Sequence, residues 1–266
     1  MRFPKPLAKP PFTVQLQTMN PSPTRTSLFA ALIITVLIDA GCQSSQPTTP
    51  ASTQNSVPGK FPLSKESQAA ITPQQALAEL KAGNARFLAG QSRHRDLLAE
   101  VRATASGQYP YAVVLSCLDS RQPIEIVLDQ GIGDIFSARV AGNVLTDDIL
   151  ASMEFGCKVA GAKQIAVIGH SNCGAVKGAV DNVEMGNLTA MLAKIKPAIE
   201  ATPGYDQSRT SKNLEFVDKV AEANVRLVMQ QIRDRSPILR EMLDKGQIGL
   251  AGGMYDLSTG RIHFYE

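Results

Sequence analysis

Two short runs of β-branched and aliphatic residues, Ala112–Leu115 and Ile165–Ile168, stand out as continuously apolar segments. Runs of that length without alternation predict strands buried on both faces. Around them the period lengthens. Thr72-Pro73-Gln74-Gln75 reads as an N-cap, a first-turn proline and a capping-box glutamine. Ala76, Leu77 and Leu80 follow at helical spacing, and Gly83-Asn84 is expected to end that helix. Further helices are expected over 96–105, over 124–129 and over 147–159, the last capped by Asp147 or Asp148. Others open near Cys173-Gly174, cover 188–195 and 214–233, and begin again with Ser236 as cap and Pro237 in the first turn. Strands are expected over 111–116, 135–140 and 164–169. The runs 248–255 and 261–265, separated by Leu257-Ser258-Thr259-Gly260, read as a hairpin. Strand–helix alternation of this kind predicts an α/β fold. Its central β-sheet is mostly parallel with an antiparallel C-terminal edge, and helices cover both faces.

The N-terminal part follows neither period. Leu28–Ile38 is an apolar run too short to span a bilayer; Arg25 precedes it and Asp39-Ala40-Gly41-Cys42 follows. This resembles a bacterial lipoprotein signal, with Cys42 as the lipidation candidate and Asp39 standing where that pattern has a small or apolar residue. Met19 would be a more conventional start, because residues 1–18 are proline-rich. The reading is a signal segment over 1–41, a Ser/Thr/Pro/Gln-rich flexible tether over 42–70, and a catalytic domain over 71–266. Export, to the periplasm or the envelope face, is the expected localisation, with the membrane reached only through the lipid anchor. The formal charge of +3 belongs largely to that leader. Removing Arg2, Lys5, Lys9, Arg25 and Asp39 takes Lys+Arg from 27 to 23 and Asp+Glu from 24 to 23. A neutral remainder without tryptophan gives no support to a nucleic-acid partner.

The chemistry gathers where the two buried strands end. Leu115-Ser116-Cys117-Leu118-Asp119-Ser120-Arg121 follows the first run, and Gly169-His170-Ser171-Asn172-Cys173-Gly174 follows the second. In a parallel sheet, ligands bind beyond the carboxyl ends of the strands. Two thiols and an imidazole there suit zinc in a three-ligand, open and therefore catalytic site. Taken singly, each would be a buried core residue. His94 and His263, distant in sequence, are weak candidates for a fourth ligand. Cys157, on an expected helix, reads as a core residue. Asp119 and Arg121 read either as a surface ion pair of little consequence or as a carboxylate held ionised and aimed by its arginine. Such a carboxylate can orient a water on zinc, or swing onto the metal and close the site.

Cys-x-Asp-x-Arg followed by His-x-x-Cys resembles the signature of the β-class carbonic anhydrases. The likeness runs over 72–266 and includes Leu80-x-x-Gly83-Asn84-x-Arg86-Phe87, the segment from Asp129 to Phe136, and Arg139-Val140-Ala141-Gly142-Asn143. It implies Cys117, His170 and Cys173 as ligands of Zn2+, and Asp119 with Arg121 as the catalytic dyad. It also implies a substrate pocket from Gln108, Phe136, Ala141, Phe155 and Gly174. Phe155 replaces the tyrosine of plant-type members, and Gln122 stands where a valine is common. Gln108 favours the open form over aspartate ligation. The implied activity is reversible hydration of carbon dioxide to bicarbonate and a proton, by a homodimer or a multiple of dimers. The helices near 72–105 are expected to reach across to a partner. Two other readings stay open on the sequence: a carbonyl sulfide or carbon disulfide hydrolase on the same scaffold, and a non-catalytic zinc- or bicarbonate-binding lipoprotein.

Overall fold

Parallel neighbours cannot be joined by tight turns, so the helical segments between the apolar runs become crossovers that cover the sheet. The computed structural model describes residues 61–203 and 209–265. The signal segment, Met19, Cys42 and most of the tether lie outside these residues. Five strands form one sheet in the order β2-β1-β3-β4-β5. They are β1 (Ala112–Ser116), β2 (Ile135–Arg139), β3 (Gln164–His170), β4 (Gly249–Tyr255) and β5 (Ile262–Tyr265). All pairings are parallel except β4 with β5, the expected antiparallel edge. Every residue of β1 and β3 is buried. The chain leaves β1 toward β2 on one side and returns to β3 on the other. A crevice therefore opens beyond the carboxyl ends of β1 and β3, where the strand order reverses.

Alternate residues of the central strands feed two cores. Ala112, Val114, Ala166 and Ile168 pack with Ala76 and Leu80 of α2 (Pro73–Leu88) and with Ile124 and Val127 of α4 (Ile124–Val127). Val113, Leu115, Ile165 and Val167 pack with Leu150 and Met153 of α5 (Asp147–Glu154). Val225 and Ile232 of α9 (Leu214–Arg235) and Leu239 of α10 (Pro237–Asp244) complete that second core. A third cluster joins α9 to α6 (Gly174–Val180), α7 (Gly186–Ala193) and α8 (Lys196–Ala201) around Cys117 and Cys173. Among the described residues no helix is long and apolar enough to cross a membrane.

The capping signals act as expected. Thr72 accepts from the Gln75 N–H while Gln75 Oε1 accepts from the Thr72 N–H, and Ser236 accepts from the Leu239 N–H. Asp96 caps α3 (Leu97–Thr104). Other expectations need correction. Gly83-Asn84 does not end α2, which runs on to Leu88. Asn84 instead donates to the Val127 and Gly260 carbonyls and accepts from the Ile262 N–H, which seats α2 on α4 and the terminal hairpin. The cap of α5 is Thr146, and the helix gives way at Phe155–Val159 to one wide turn closed by Ala160 N–H to Phe155 O. The folded body also starts earlier than residue 71. Ser64 caps α1 (Lys65–Ala70), Leu63 enters the core, and Gln68 donates to the carbonyls of Pro110 and Ala160. A polar segment whose glutamine bonds inward looks like a linker by composition.

Candidate metal centre and active site

The register of β1 and β3 places Ser116 beside Ile168, so Cys117 emerges next to the end of β3, where His170 is the last strand residue. Cys173 is the N-cap of α6. The three ligand atoms lie within 4.8 Å of one another and all three side chains are buried. Three hydrogen bonds hold the turn between His170 and Cys173. Ser171 N–H donates to Tyr255 O (2.9 Å), Leu257 N–H to Ser171 Oγ (3.0 Å), and Asn172 N–H to Asp218 Oδ1 (2.6 Å).

The donor set fits zinc on its own evidence. His170 Nδ1 is 2.9 Å from the Ser171 carbonyl, which places the ring proton there and leaves the Nε2 lone pair free. That Nε2 is buried and has no hydrogen-bond partner. Cys117 is lowered to about 4, chiefly by the Cys173 thiol against the effect of burial, with His170 and the backbone N–H groups of Asp119 and Gly142 adding to it. Cys173 is pushed up, chiefly by its hydrogen bond with Cys117 and by burial. The two thiols lie within hydrogen-bond reach of each other, and a divalent metal would take both as thiolates. Cys157, buried with no such partner, is pushed up to about 12. No disulfide joins these three thiols.

Asp119 faces this cluster, its Oδ2 3.9 Å from His170 Nε2. Arg121 grips it from Nε (2.9 Å to Oδ1), Nη2 (2.8 Å to Oδ2) and its own N–H (2.9 Å to Oδ1). That pairing holds the carboxyl well below the usual carboxylate range. Two neighbours steady this turn through contacts the sequence did not indicate. Arg139 donates to the carbonyls of Cys117 (3.0 Å) and Asp119 (2.7 Å), fixing the backbone on either side of Leu118. Gln122, fully buried, donates to the Gly169 carbonyl at 3.3 Å and so ties the dyad turn to the strand end that bears His170.

The expected pocket residues divide. Gly174 follows Cys173 directly, and Ala141 adjoins Gly142, whose N–H reaches the Cys117 sulfur. Gln108, Phe136 and Phe155 are not brought to the cluster of their own chain. Gln108 precedes β1, at the end away from Cys117. Phe136 pairs with Val113, about 13 Å along the strand from Cys117. Phe155 lies edge-on to Phe136, with ring centroids 6.3 Å apart. His94 and His263 are exposed and outside the ligand cluster.

A family profile described as carbonic anhydrase matches residues 112–262, which include Cys117, Asp119, Arg121, His170 and Cys173. The chain belongs to the β-carbonic anhydrase family. The carbonic anhydrase of Mycolicibacterium smegmatis is 36% identical over 192 residues, covering 71% of this chain and 92% of that protein. The β-carbonic anhydrase CafA of Aspergillus fumigatus superposes with a TM-score of 0.59 at 26% identity, covering 70% of this chain and 88% of its own. Tetrameric β-carbonic anhydrases of Sordaria macrospora give 0.55 at 26% identity, covering 70% and 93%. The chain is accordingly a lyase that hydrates carbon dioxide reversibly, with zinc as its cofactor.

Proposed function

We propose that this carbonic anhydrase holds its zinc through Cys117, His170 and Cys173, with Asp119 and Arg121 as the catalytic dyad. A second copy of the chain completes the substrate pocket. When bound, zinc supplies Lewis acidity that lowers the pKa of water from about 15.7 toward about 7. The rest falls to the side chains. Asp119, kept ionised by Arg121, can only accept a hydrogen bond, so it takes the O–H of the attacking water and turns a lone pair toward the carbon. His170 is held in one tautomer by the Ser171 carbonyl. Arg139 and Gln122 keep the dyad turn from drifting.

The observation that carries this assignment is the convergence of three buried ligand atoms with a fixed carboxylate at the strand switch point. Completion by a partner rests on the distance of Phe136 and Phe155 from Cys117 within one chain. It rests also on exposed apolar residues near edge strand β2: Leu118, Ile126 and Phe155, with Val159 in the same turn as Phe155. The same reading includes export and anchoring at Cys42 by the N-terminal leader; mass spectrometry of the native N-terminus would test it. Stopped-flow carbon dioxide hydration with zinc analysis tests the site. Cys173→Ser is expected to lose zinc and activity together, whereas Asp119→Ala keeps zinc and loses roughly 100-fold or more in turnover. Full activity in either purified variant overturns the assignment.

A further inference from the structure

Behind the metal centre, helix α9 reaches the ligands through a peptide that is not itself a ligand. Gly142 N–H points at the Cys117 sulfur at 3.3 Å. Its carbonyl accepts from Asn224 Nδ2 at 2.8 Å, a fully buried contact. Only the amide nitrogen of Asn224 can face a carbonyl, so the side chain has one allowed orientation. The N–H and C=O of residue 142 belong to the peptide planes on either side of its Cα. Anchoring both fixes both of its dihedrals, which stand at φ 66° and ψ 18°. A side chain there would be strained by the positive φ and crowded, since a Cβ on Gly142 would come 2.8 Å from Ile195 Cδ1 and 3.1 Å from Ala175 Cβ. Asn224 is 1% exposed, and Val225 beside it is part of the core under β3. From the same helix, Asp218 holds the Asn172 N–H between the other two ligands.

We propose that Asn224 is a positioning residue for the metal centre. Through the Gly142 carbonyl it keeps the Gly142 N–H on the Cys117 sulfur and so sets how strongly that thiolate donates to the metal. The inference rests on Cys117 being a ligand. An N–H···S bond withdraws electron density from a thiolate, and hydrogen bonds to ligand atoms tune both metal affinity and the acidity the metal imposes on water. If Asn224 merely filled its site, removing the donor would loosen the fold and leave the sulfur's electronic character unchanged.

The test uses the full chain loaded with cobalt(II) in place of zinc. Asn224→Leu keeps about the same volume and has no donor, whereas an aspartic acid buried there would protonate and donate in its place. Asn224→Leu is expected to shift the sulfur-to-cobalt charge-transfer band and to change zinc affinity by about tenfold. Val228→Ala, buried on the same helix and away from the ligands, serves as the control that loosens packing without touching the bond. A band and a zinc affinity in Asn224→Leu that match the wild type, or changes no larger than those of Val228→Ala, overturn the proposal. Absence of any charge-transfer band in the wild-type chain overturns the thiolate assignment itself. Should Asn224→Leu not fold, NMR of the wild-type chain loaded with cadmium-113 decides. Scalar coupling between the metal and the Gly142 amide proton is expected, and its absence overturns the link.

Discussion

Cys117, Cys157 and Cys173 carry the same thiol at three acidities, and their neighbours account for the spread. Burial alone raises Cys157 to about 12, while the hydrogen bond between the other two lowers Cys117 and raises Cys173. Burial acts on Tyr111 as it does on Cys157. The ring is fully buried, its hydroxyl donates to Gln130 Oε1 at 2.8 Å, and desolvation holds its pKa well above the ordinary value. Above about pH 10 the unfolded chain releases that proton while the folded chain retains it, so Tyr111 makes stability fall as pH rises. The contribution is fully present below that pH. Tyr111→Phe is expected to cost about 1 kcal/mol at neutral pH and to flatten the alkaline limb of urea-unfolding stability measured against pH. An unchanged alkaline slope would show that other groups dominate it. At this scale the gathering of Cys117, His170, Cys173 and Asp119 was legible in the sequence, because their spacing follows from consecutive residues leaving a strand. The contacts of Arg139, Asp218 and Asn224 were not. Each acts on a backbone group brought near only by the fold, and such a contact leaves no local pattern.

Helix α2 shows the same boundary between the local and the distant. Its start was legible in Thr72, Pro73 and Gln75, which cap one another within a single turn. Its end was misread, since Gly83-Asn84 has the composition of a stop and the position of a contact. A Cβ on Gly83 would lie 1.8 Å from the Leu128 carbonyl oxygen, so the helix passes that backbone with no room for a methyl group. Gly83→Ala is therefore expected to push α2 off α4 and to cost about 2–3 kcal/mol in denaturant unfolding, despite alanine's better helix propensity. Zinc content should be unchanged, because α2 touches none of the ligands. A gain in stability would mean that α2 can shift freely. Strand order also lay beyond local reading. The periods gave parallel strands with an antiparallel edge, but the placement of β1 between β2 and β3 depends on pairings across the whole sheet.

At the scale of the whole molecule, an exposed apolar turn lies beside edge strand β2. Phe155, 51% exposed, sits edge-on to Phe136 of that strand, and Val159 in the same turn is 71% exposed; among the described residues no other strand covers the outer edge of β2. Val159→Asp is expected to shift the assembly toward single chains in light scattering. Activity should fall with it if Phe136 and Phe155 serve a partner's pocket. A monomeric variant with full turnover would show that one chain suffices. The braces described above have a further consequence, in the order of biosynthesis. Cys117, His170 and Cys173 all leave the ribosome before Asp218, Asn224, Tyr255 and Leu257, the residues that hold the His170–Cys173 turn and the Gly142 peptide. A nascent chain that has just completed α6 carries all three of these donors and none of these braces, so the shape of the site is set by the last part of the chain to be made.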